Sequence, residues 1–183
     1  LTAADNWPGS AGGTVLPGGG AVLSNKLYTV GGFSSAGGGV GVPDVWQFDP
    51  TAAVGAKWVR KADLPVPRGY VPAVGLGGFI YTAGGSNITG TVLADSSDSF
   101  KYDPVANTWT PITPIPRATG ETRAVVINNQ VWVLGGGRTA PLTAAAAAPS
   151  PKHPAQPDQP VRVETLRPVG VRRSGDSWPR YLT

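Results

Sequence analysis

Length, low charge and a high content of glycine and proline set the first limits on this protein. The chain has 183 residues, room for one ordinary domain, with 26 Gly and 19 Pro. Only 14% of the residues are charged, and Val, Thr, Tyr and Trp occur in short runs, which is typical of an all-β protein with many turns. No Cys is present, which excludes disulfides, thiolate metal sites and cysteine nucleophiles. No apolar run is long enough to span a bilayer.

The net charge of +4 is unevenly distributed. From Thr139 onward, Lys and Arg outnumber Asp and Glu, whereas residues 1–138 are nearly neutral. The high isoelectric point therefore describes the C-terminal segment and not the part that we expect to fold.

In chain order, short apolar runs separated by turn residues predict a series of β-strands. Residues 6–17 resemble the end of a unit. Three groups of predicted strands follow, at 20–23, 27–30, 45–48 and 58–61, then at 71–76, 79–83, 100–102 and 109–112, and finally at 122–127 and 131–134. Longer loops are predicted at 33–44 and 86–97, between the second and third strands of the first two groups.

Three kinds of landmark recur with one period of about 50 residues. Trp7, Trp58 and Trp109 are each 51 residues apart. The other landmarks are a glycine pair after each second strand and an aromatic-Asp-Pro motif, at Gly31, Gly32, Gly84, Gly85, Gly135, Gly136, Asp49 and Asp103. Glycine pairs allow sharp turns, Asp-Pro closes a turn, and Trp supplies apolar area between units.

These motifs are similar to those of the kelch repeat of β-propellers, over about two thirds of the chain. The resemblance implies an all-β fold, an incomplete kelch-type propeller of four-stranded antiparallel blades with the first strand of each blade innermost. The predicted boundaries are a fourth strand of a preceding blade at 6–17, blades at 18–68 and 69–119, a half blade at 120–138, and an Ala/Pro/Arg-rich disordered tail at 139–183.

Two and a half blades cannot close a ring, because propellers need four to eight. The chain is therefore expected to be a fragment, to complete a ring with another copy or chain, or to be a partial stack that tolerates open ends. Apolar blade faces at both ends predict possible self-association. The absence of Met at position 1 favours a fragment or a processed product.

The segment 139–183 carries none of the period. It is interpreted as a disordered, polyproline-like segment. An out-of-frame translation of a GC-rich gene and a basic arm for anionic surfaces are the alternatives. Nucleic acid is the least favoured partner, because the basic residues are scattered without interleaved aromatic residues.

Candidate binding residues cluster at the start of the inner strands. Arg68 and Arg117 are interpreted as equivalent residues that line one mouth of the channel and bind an acidic group, or that pair with an Asp such as Asp63 or with backbone carbonyls. Asn87 begins a glycosylation sequon in a predicted loop, which is otherwise a solvated variable loop. The full predicted set is Arg68, Tyr70, Asn87, Arg117, Glu121 and Arg123.

Catalytic chemistry has no candidate in the repeat region. The only histidine, His153, lies in the tail, so no catalytic residue, metal site or cofactor is predicted, and the protein is not expected to be an enzyme. We predict a kelch-repeat binding module, extracellular or on a cell surface, that recognises a protein or a glycan through its loop face. The alternatives are a piece of a propeller-based carbohydrate-active enzyme, similar to galactose oxidase or a sugar-acid mutarotase, and a structural spacer.

Overall fold

A computed structural model describes residues 2–10, 14–34, 40–89, 92–137 and 163–166. The remaining residues of the first predicted loop and of the predicted tail lie outside the described residues, and so does His153. The described part of the chain contains no helix that is long and apolar enough to cross a membrane.

Two four-stranded sheets and a smaller third sheet form the core of the structure. All neighbouring strands are antiparallel, and the prediction of an all-β fold with four-stranded antiparallel blades is confirmed. Blade 1 consists of β1 (Thr14–Leu23), β2 (Lys26–Ser34), β3 (Gly41–Phe48) and β4 (Trp58–Arg60). Blade 2 consists of β5 (Ala73–Leu76), β6 (Phe79–Ala83), β9 (Ser99–Asp103) and β10 (Thr108–Ile112), with a separate hairpin of β7 (Ser86–Thr89) and β8 (Val92–Asp95). Blade 3 consists of β11 (Arg123–Ile127), β12 (Gln130–Leu134) and β13 (Val163–Leu166).

The N-terminal segment differs from its sequence prediction. Where the sequence predicted a fourth strand over 6–17, the structure has 3-10 helices at Ala3–Asp5 and Pro8–Ser10, and β1 begins at Thr14. The Asp5 carboxylate accepts hydrogen bonds from the backbone N–H groups of Thr2 (3.1 Å) and Gly55 (3.1 Å). These bonds fold the segment into a compact turn on blade 1, so it is not extended.

The predicted tail contributes one strand to blade 3. Residues Val163–Leu166 form β13, which pairs with β12 at the position of a third strand. The sequence assigned this stretch to a disordered tail because it lies outside the repeat. Its β-branched Val and Thr suit a strand, and the free edge of β12 offers the backbone hydrogen bonds that such a strand needs.

A buried cluster joins blade 1 to blade 2, and we call it junction 1–2. It contains side chains from both sheets and from the connection between them: Ala21, Tyr28, Val30, Val45, Leu64, Ala73, Ile80, Phe100 and Tyr102. Junction 2–3 is smaller and contains Tyr81, Ala83, Ile115, Val131 and Val133. Blade 2 thus buries Ile80 on one face and Tyr81 on the other, as expected for a sheet that is covered on both faces.

Trp58 and Trp109 occupy matching positions at the outer edges of blades 1 and 2. The Trp109 indole N–H donates to the carbonyl of Ala62 at 2.9 Å, and that of Trp58 donates to the carbonyl of Asp5 at 3.0 Å. In both cases the acceptor belongs to the chain segment that leads into the blade. The Trp residues therefore fasten the connecting segment to the next sheet, in addition to supplying apolar area.

The glycine pairs connect each blade to the next connecting segment. Gly31, Gly84 and Gly135 have φ values of 63°, 69° and 68°, which residues other than glycine rarely adopt. The N–H of Gly32 donates to the Arg68 carbonyl (2.9 Å), and the N–H of Gly85 donates to the Thr119 carbonyl (3.0 Å). In blade 1 the pair lies inside β2 at a register shift and does not end the strand as predicted.

The aspartates of the Asp-Pro motifs close the turns between third and fourth strands. A side-chain oxygen of Asp103 accepts from the N–H groups of Val105 (2.8 Å) and Ala106 (3.1 Å), and one of Asp49 accepts from the N–H of Thr51 (2.9 Å). The hydroxyl and N–H of Thr51 and the ammonium of Lys26 hold the pKa of Asp49 well below its usual range.

Candidate binding cleft at the inner strands

A cleft of about 520 Å³ opens where the chain enters the inner strands of all three blades. Its walls come from β1, from the segments that lead into β5 and β11, and from β2. The lining residues are Leu16, Pro17, Gly18, Gly19, Gly20, Phe33, Tyr70, Val71, Pro72, Ala73, Thr122, Arg123 and Ala124. Most of this lining is apolar or glycine backbone, with one exposed aromatic side chain and one exposed cation, a composition typical of ligand sites.

Tyr70 and Glu121 occupy the same backbone position in successive blades, 51 residues apart. Each follows a glycine that forms an isolated bridge, Gly69 with Ser86 and Gly120 with Gly137. Both residues have positive φ values, 49° for Tyr70 and 57° for Glu121. A left-handed conformation at a residue other than glycine costs about 1–3 kcal/mol and is often found at functional sites.

An aromatic pair forms one wall of the cleft. Phe33 from β2 and Tyr70 meet edge to face with ring centroids 4.8 Å apart. Phe33 is buried, whereas Tyr70 is 44% exposed. The Phe33 ring occupies the space that a Cβ atom at position 69 would need, so Gly69 permits the contact that positions the Tyr70 ring.

The opposite wall carries the charge of the cleft. Arg123 is exposed, and its guanidinium donates to the Thr122 carbonyl at 3.0 Å. The Thr122 side chain is buried, and its hydroxyl has no hydrogen-bond partner among the described residues. Arg123 can therefore offer its remaining N–H groups to a carboxylate or carbonyl in the cleft.

Arg68, predicted to line the channel mouth, is buried between blades 1 and 2 with 2% of its surface exposed. Its guanidinium donates to the carbonyl of Gly84 (2.8 Å) and to the carboxylate of Asp98 (2.9 Å). Hydrogen bonds from Arg68 and from the Ser96 hydroxyl lower the pKa of Asp98. Arg68 therefore follows the second interpretation of the sequence, in which it pairs with an Asp and with backbone carbonyls. Its partner is Asp98 and not Asp63, which pairs with Arg60.

Arg117 is not the counterpart of Arg68. The carbonyl of Arg68 accepts from Gly32, and in the next repeat the carbonyl of Thr119 accepts from Gly85. Thr119 is thus the equivalent residue. Arg68 directly precedes Gly69, whereas Ala118 and Thr119 separate Arg117 from Gly120, so Arg117 is shifted by two positions. Arg117 is exposed and is not part of the cleft lining.

Asn87 fastens the β7–β8 hairpin to blade 1. Its side-chain oxygen accepts a hydrogen bond from the backbone N–H of Gly41 at 2.9 Å, and the residue is half-buried. The stretch 86–97 was predicted to be a loop, but most of it forms this hairpin. The β-branched and apolar residues Ile88, Thr89, Val92 and Leu93 on either side of Gly90 could have indicated two strands and a turn.

A smaller pocket of about 120 Å³ adjoins the cleft between blades 2 and 3 and shares Tyr70 with it. Glu121 and Asp95 lie in its wall, and the Ser86 hydroxyl donates to Asp95 at 2.7 Å. Of the predicted residues, the structure thus brings Tyr70, Glu121 and Arg123 to one region. Sequence reasoning missed Phe33, Ser86 and Asp95, because only the fold brings them next to Tyr70.

Metal and cofactor chemistry receives no support from a side-chain cluster. Within the ranges that the structure describes, no group of three or more His, Cys, Asp or Glu residues could hold a metal ion. The cleft lining consists instead of groups that bind by shape, aromatic contact and hydrogen bonding.

The comparison with family models identifies the repeat. The model described as the kelch motif matches residues 67–116, which span blade 2 and the end of its preceding connection. The unit at residues 67–116 is therefore a kelch motif. The chain is 29% identical over 110 residues to Kelch-like ECH-associated protein 1B of Danio rerio, which covers 60% of this chain and 18% of that relative.

Solved structures show the same kelch-type architecture. The structure of YjhT has a TM-score of 0.55 and 25% identity, covering 68% of this chain and 36% of that one. A fungal alcohol oxidase in complex with copper also has a TM-score of 0.55, with 22% identity over 67% of this chain and 27% of that one. The resemblance to kelch-repeat propellers is confirmed, and the chain spans less than two fifths of the length of these three proteins.

Proposed function

We propose that this kelch-repeat chain is a binding module that holds a segment of a partner protein in the cleft at the inner strands. One observation carries the proposal: three blades converge on a cavity of about 520 Å³ that presents an exposed aromatic ring and an exposed guanidinium. Partly exposed Tyr and Arg side chains in a concave, mostly apolar surface are typical of residues that dominate binding energy.

The cleft has the chemistry for an extended peptide. Phe33 and Tyr70 can receive an apolar or proline side chain against the edge-to-face pair. Arg123, on the opposite wall, can bind a carboxylate or a backbone carbonyl of the same segment. The similarity to a Kelch-like ECH-associated protein supports a protein partner, whereas a glycan would use the same aromatic wall.

The experiment compares peptide and glycan arrays probed with the full chain and with variants. Tyr70→Asn removes the ring and suits the left-handed backbone, because Asn tolerates positive φ. We expect this variant to bind a selected peptide at least about tenfold more weakly, equivalent to about 1.4 kcal/mol. Arg123→Gln should weaken binding of acidic peptides most.

Val105→Asn is the matched control, since Val105 is 95% exposed in the turn between β9 and β10 and distant from the cleft lining. Equal binding by all variants would refute the proposal. Glycan binding that depends on Tyr70 would identify a sugar, and not a peptide, as the ligand of the cleft.

A second candidate function is a piece of a propeller-based carbohydrate-active enzyme. Its support is the similarity in fold to a copper-containing alcohol oxidase. Copper uptake or consumption of a sugar by the purified chain would favour it, whereas ligand binding without turnover favours the first proposal. An extracellular or cell-surface location is proposed from the low charge, to be tested by fractionation of cells that express the protein.

A further inference from the structure

The open face of blade 3 repeats the residues that blade 2 buries against it. We call this surface the trailing face. The register places Val125 opposite Trp132 and Arg123 opposite Leu134, so their side chains share one side of the sheet. The apolar members of the trailing face are Val125, Ile127, Trp132 and Leu134. Arg123 lies on the same side of the sheet at the start of β11, where it also lines the cleft.

Their counterparts in blade 2 lie 51 residues earlier and belong to junction 2–3. These counterparts are Val74, Leu76, Tyr81 and Ala83. Tyr81 and Ala83 are almost fully buried, whereas their counterparts Trp132 and Leu134 are half-buried. Val74 and Leu76 are half-buried, whereas their counterparts Val125 and Ile127 are 37% and 46% exposed. The trailing face therefore has the composition of a blade junction and, within the described residues, no sheet over it.

Blade 1 presents the complementary surface at the other end of the stack, which we call the leading face. It consists of Leu27, Trp46, Phe48 and Trp58. The counterparts of these residues in blade 2 are Ile80, Phe100, Tyr102 and Trp109, which pack against blade 1 in junction 1–2. Leu27, in contrast to the buried Ile80, is 37% exposed.

In junction 1–2, two layers cover the face of blade 2 that corresponds to the leading face. The leading face of blade 1 already carries one of these layers. In junction 1–2, the connection that contains Ala62 and Leu64 covers part of the sheet, and blade 1 covers the rest. On the leading face, the N-terminal segment supplies the first layer. Trp7 meets Trp58 edge to face at 5.0 Å, and the Trp58 N–H reaches the Asp5 carbonyl. The missing layer is a sheet surface of the kind that the trailing face displays.

We propose that two copies of this chain associate head to tail, with the trailing face of one copy covering the leading face of the other. The contact would continue the junctions that the chain makes twice internally. Because the two surfaces differ, the contact is heterologous, and such contacts give closed rings when the rotation allows it. Each copy has three blades. Two copies would therefore contribute six blades, within the four to eight of closed propellers, so we expect a dimer.

The first test is sedimentation velocity of the full chain over a range of concentrations. We expect a dimer, and we expect Ile127→Lys on the trailing face or Leu27→Lys on the leading face to raise its dissociation constant at least about tenfold. Both residues adjoin a hairpin turn and are partly exposed, so the variants should fold, which circular dichroism checks. Val105→Lys, a substitution of an exposed Val elsewhere, should leave the dimer intact.

The second test mixes the two variants. A head-to-tail contact predicts that Ile127→Lys and Leu27→Lys, each impaired alone, form a one-to-one dimer together, because one retains its trailing face and the other its leading face. A monomer at all concentrations overturns the proposal. A dimer that survives Leu27→Lys also overturns it, since trailing faces would then pair with each other. Failure of the mixed variants to associate would likewise overturn the head-to-tail proposal.

Discussion

The two junctions on either side of blade 2 use the same repeat to different extents. Leu64 in junction 1–2 and Ile115 in junction 2–3 are 51 residues apart and equally buried, each from the connection into the next blade. Junction 1–2 adds Phe100 and Tyr102 from the third strand of blade 2. Among the side chains that the structure describes, blade 3 contributes Val131 and Val133 of its second strand to junction 2–3.

Polar groups sharpen the difference between the junctions. Tyr102 donates to the side-chain oxygen of Asn107 at 2.7 Å, and that oxygen also accepts from the N–H of Ala62 at 2.9 Å. Burial raises the pKa of Tyr102 to about 12. Arg68 adds a buried guanidinium, whereas its counterpart Thr119 bonds locally to the Arg117 carbonyl at 3.1 Å. A repeat thus specifies where a junction forms, while its polar residues determine how firmly it is held.

The largest expected effect compares Ile80→Ala in junction 1–2 with Val131→Ala, its counterpart in junction 2–3. Both side chains are fully buried. Ile80→Ala should lower the free energy of unfolding by about 3 kcal/mol, and Val131→Ala by about 2 kcal/mol. Urea unfolding followed by tryptophan fluorescence measures both.

Hydrogen exchange separates the two variants further. Ile80→Ala should accelerate exchange in blades 1 and 2, and Val131→Ala mainly in β11 and β12, because the described residues cover blade 3 on one face only. Equal acceleration throughout the chain in both variants would contradict a difference between the junctions.

The next effect concerns the buried guanidinium of junction 1–2. Arg68→Met removes the ion-pair partner of Asp98 and the donor to the Gly84 carbonyl. We expect the free energy of unfolding to fall by about 2 kcal/mol. This is less than for a fully buried ion pair, because Asp98 is half-exposed. Arg117→Met, at an exposed position, should change the stability by less than about 0.5 kcal/mol. Similar urea midpoints for the two variants would show that Arg68 does not hold the junction.

The smallest effect is the pH dependence of that ion pair. The pKa of Asp98 is lowered in the folded state from an ordinary value of 3.8. Its contribution to stability is therefore present above that value and lost as the pH falls through the folded pKa. Asp98→Asn should reduce the loss in the free energy of unfolding at acid pH, measured by urea unfolding, by about 0.5–1 kcal/mol, since the carboxylate is half-exposed. An unchanged slope would show that the pair contributes nothing.

The predicted equivalence of Arg68 and Arg117 was wrong, and the reason shows what the sequence alone could not predict. Both follow a proline just before an inner strand, and a spacing of 49 was within the scatter of the other landmarks. The hydrogen bonds from Gly32 to the Arg68 carbonyl and from Gly85 to the Thr119 carbonyl show that Arg68 and Thr119 are the equivalent residues. Register within a connection depends on which backbone groups meet across two blades, and a local pattern does not contain that information.

The sequence by itself determined the repeat, the all-β class and the positions of the glycine pairs, because backbone conformation and turn chemistry are local properties. Only the tertiary structure decided which side chains share the cleft, that Arg68 is buried, and that the N-terminal segment folds onto blade 1. Those outcomes bring together residues that are 53 positions apart, such as Trp58 and Asp5, or further apart, such as Leu16 and Arg123 in the cleft lining. Packing between blades, which no single stretch of sequence specifies, selects them.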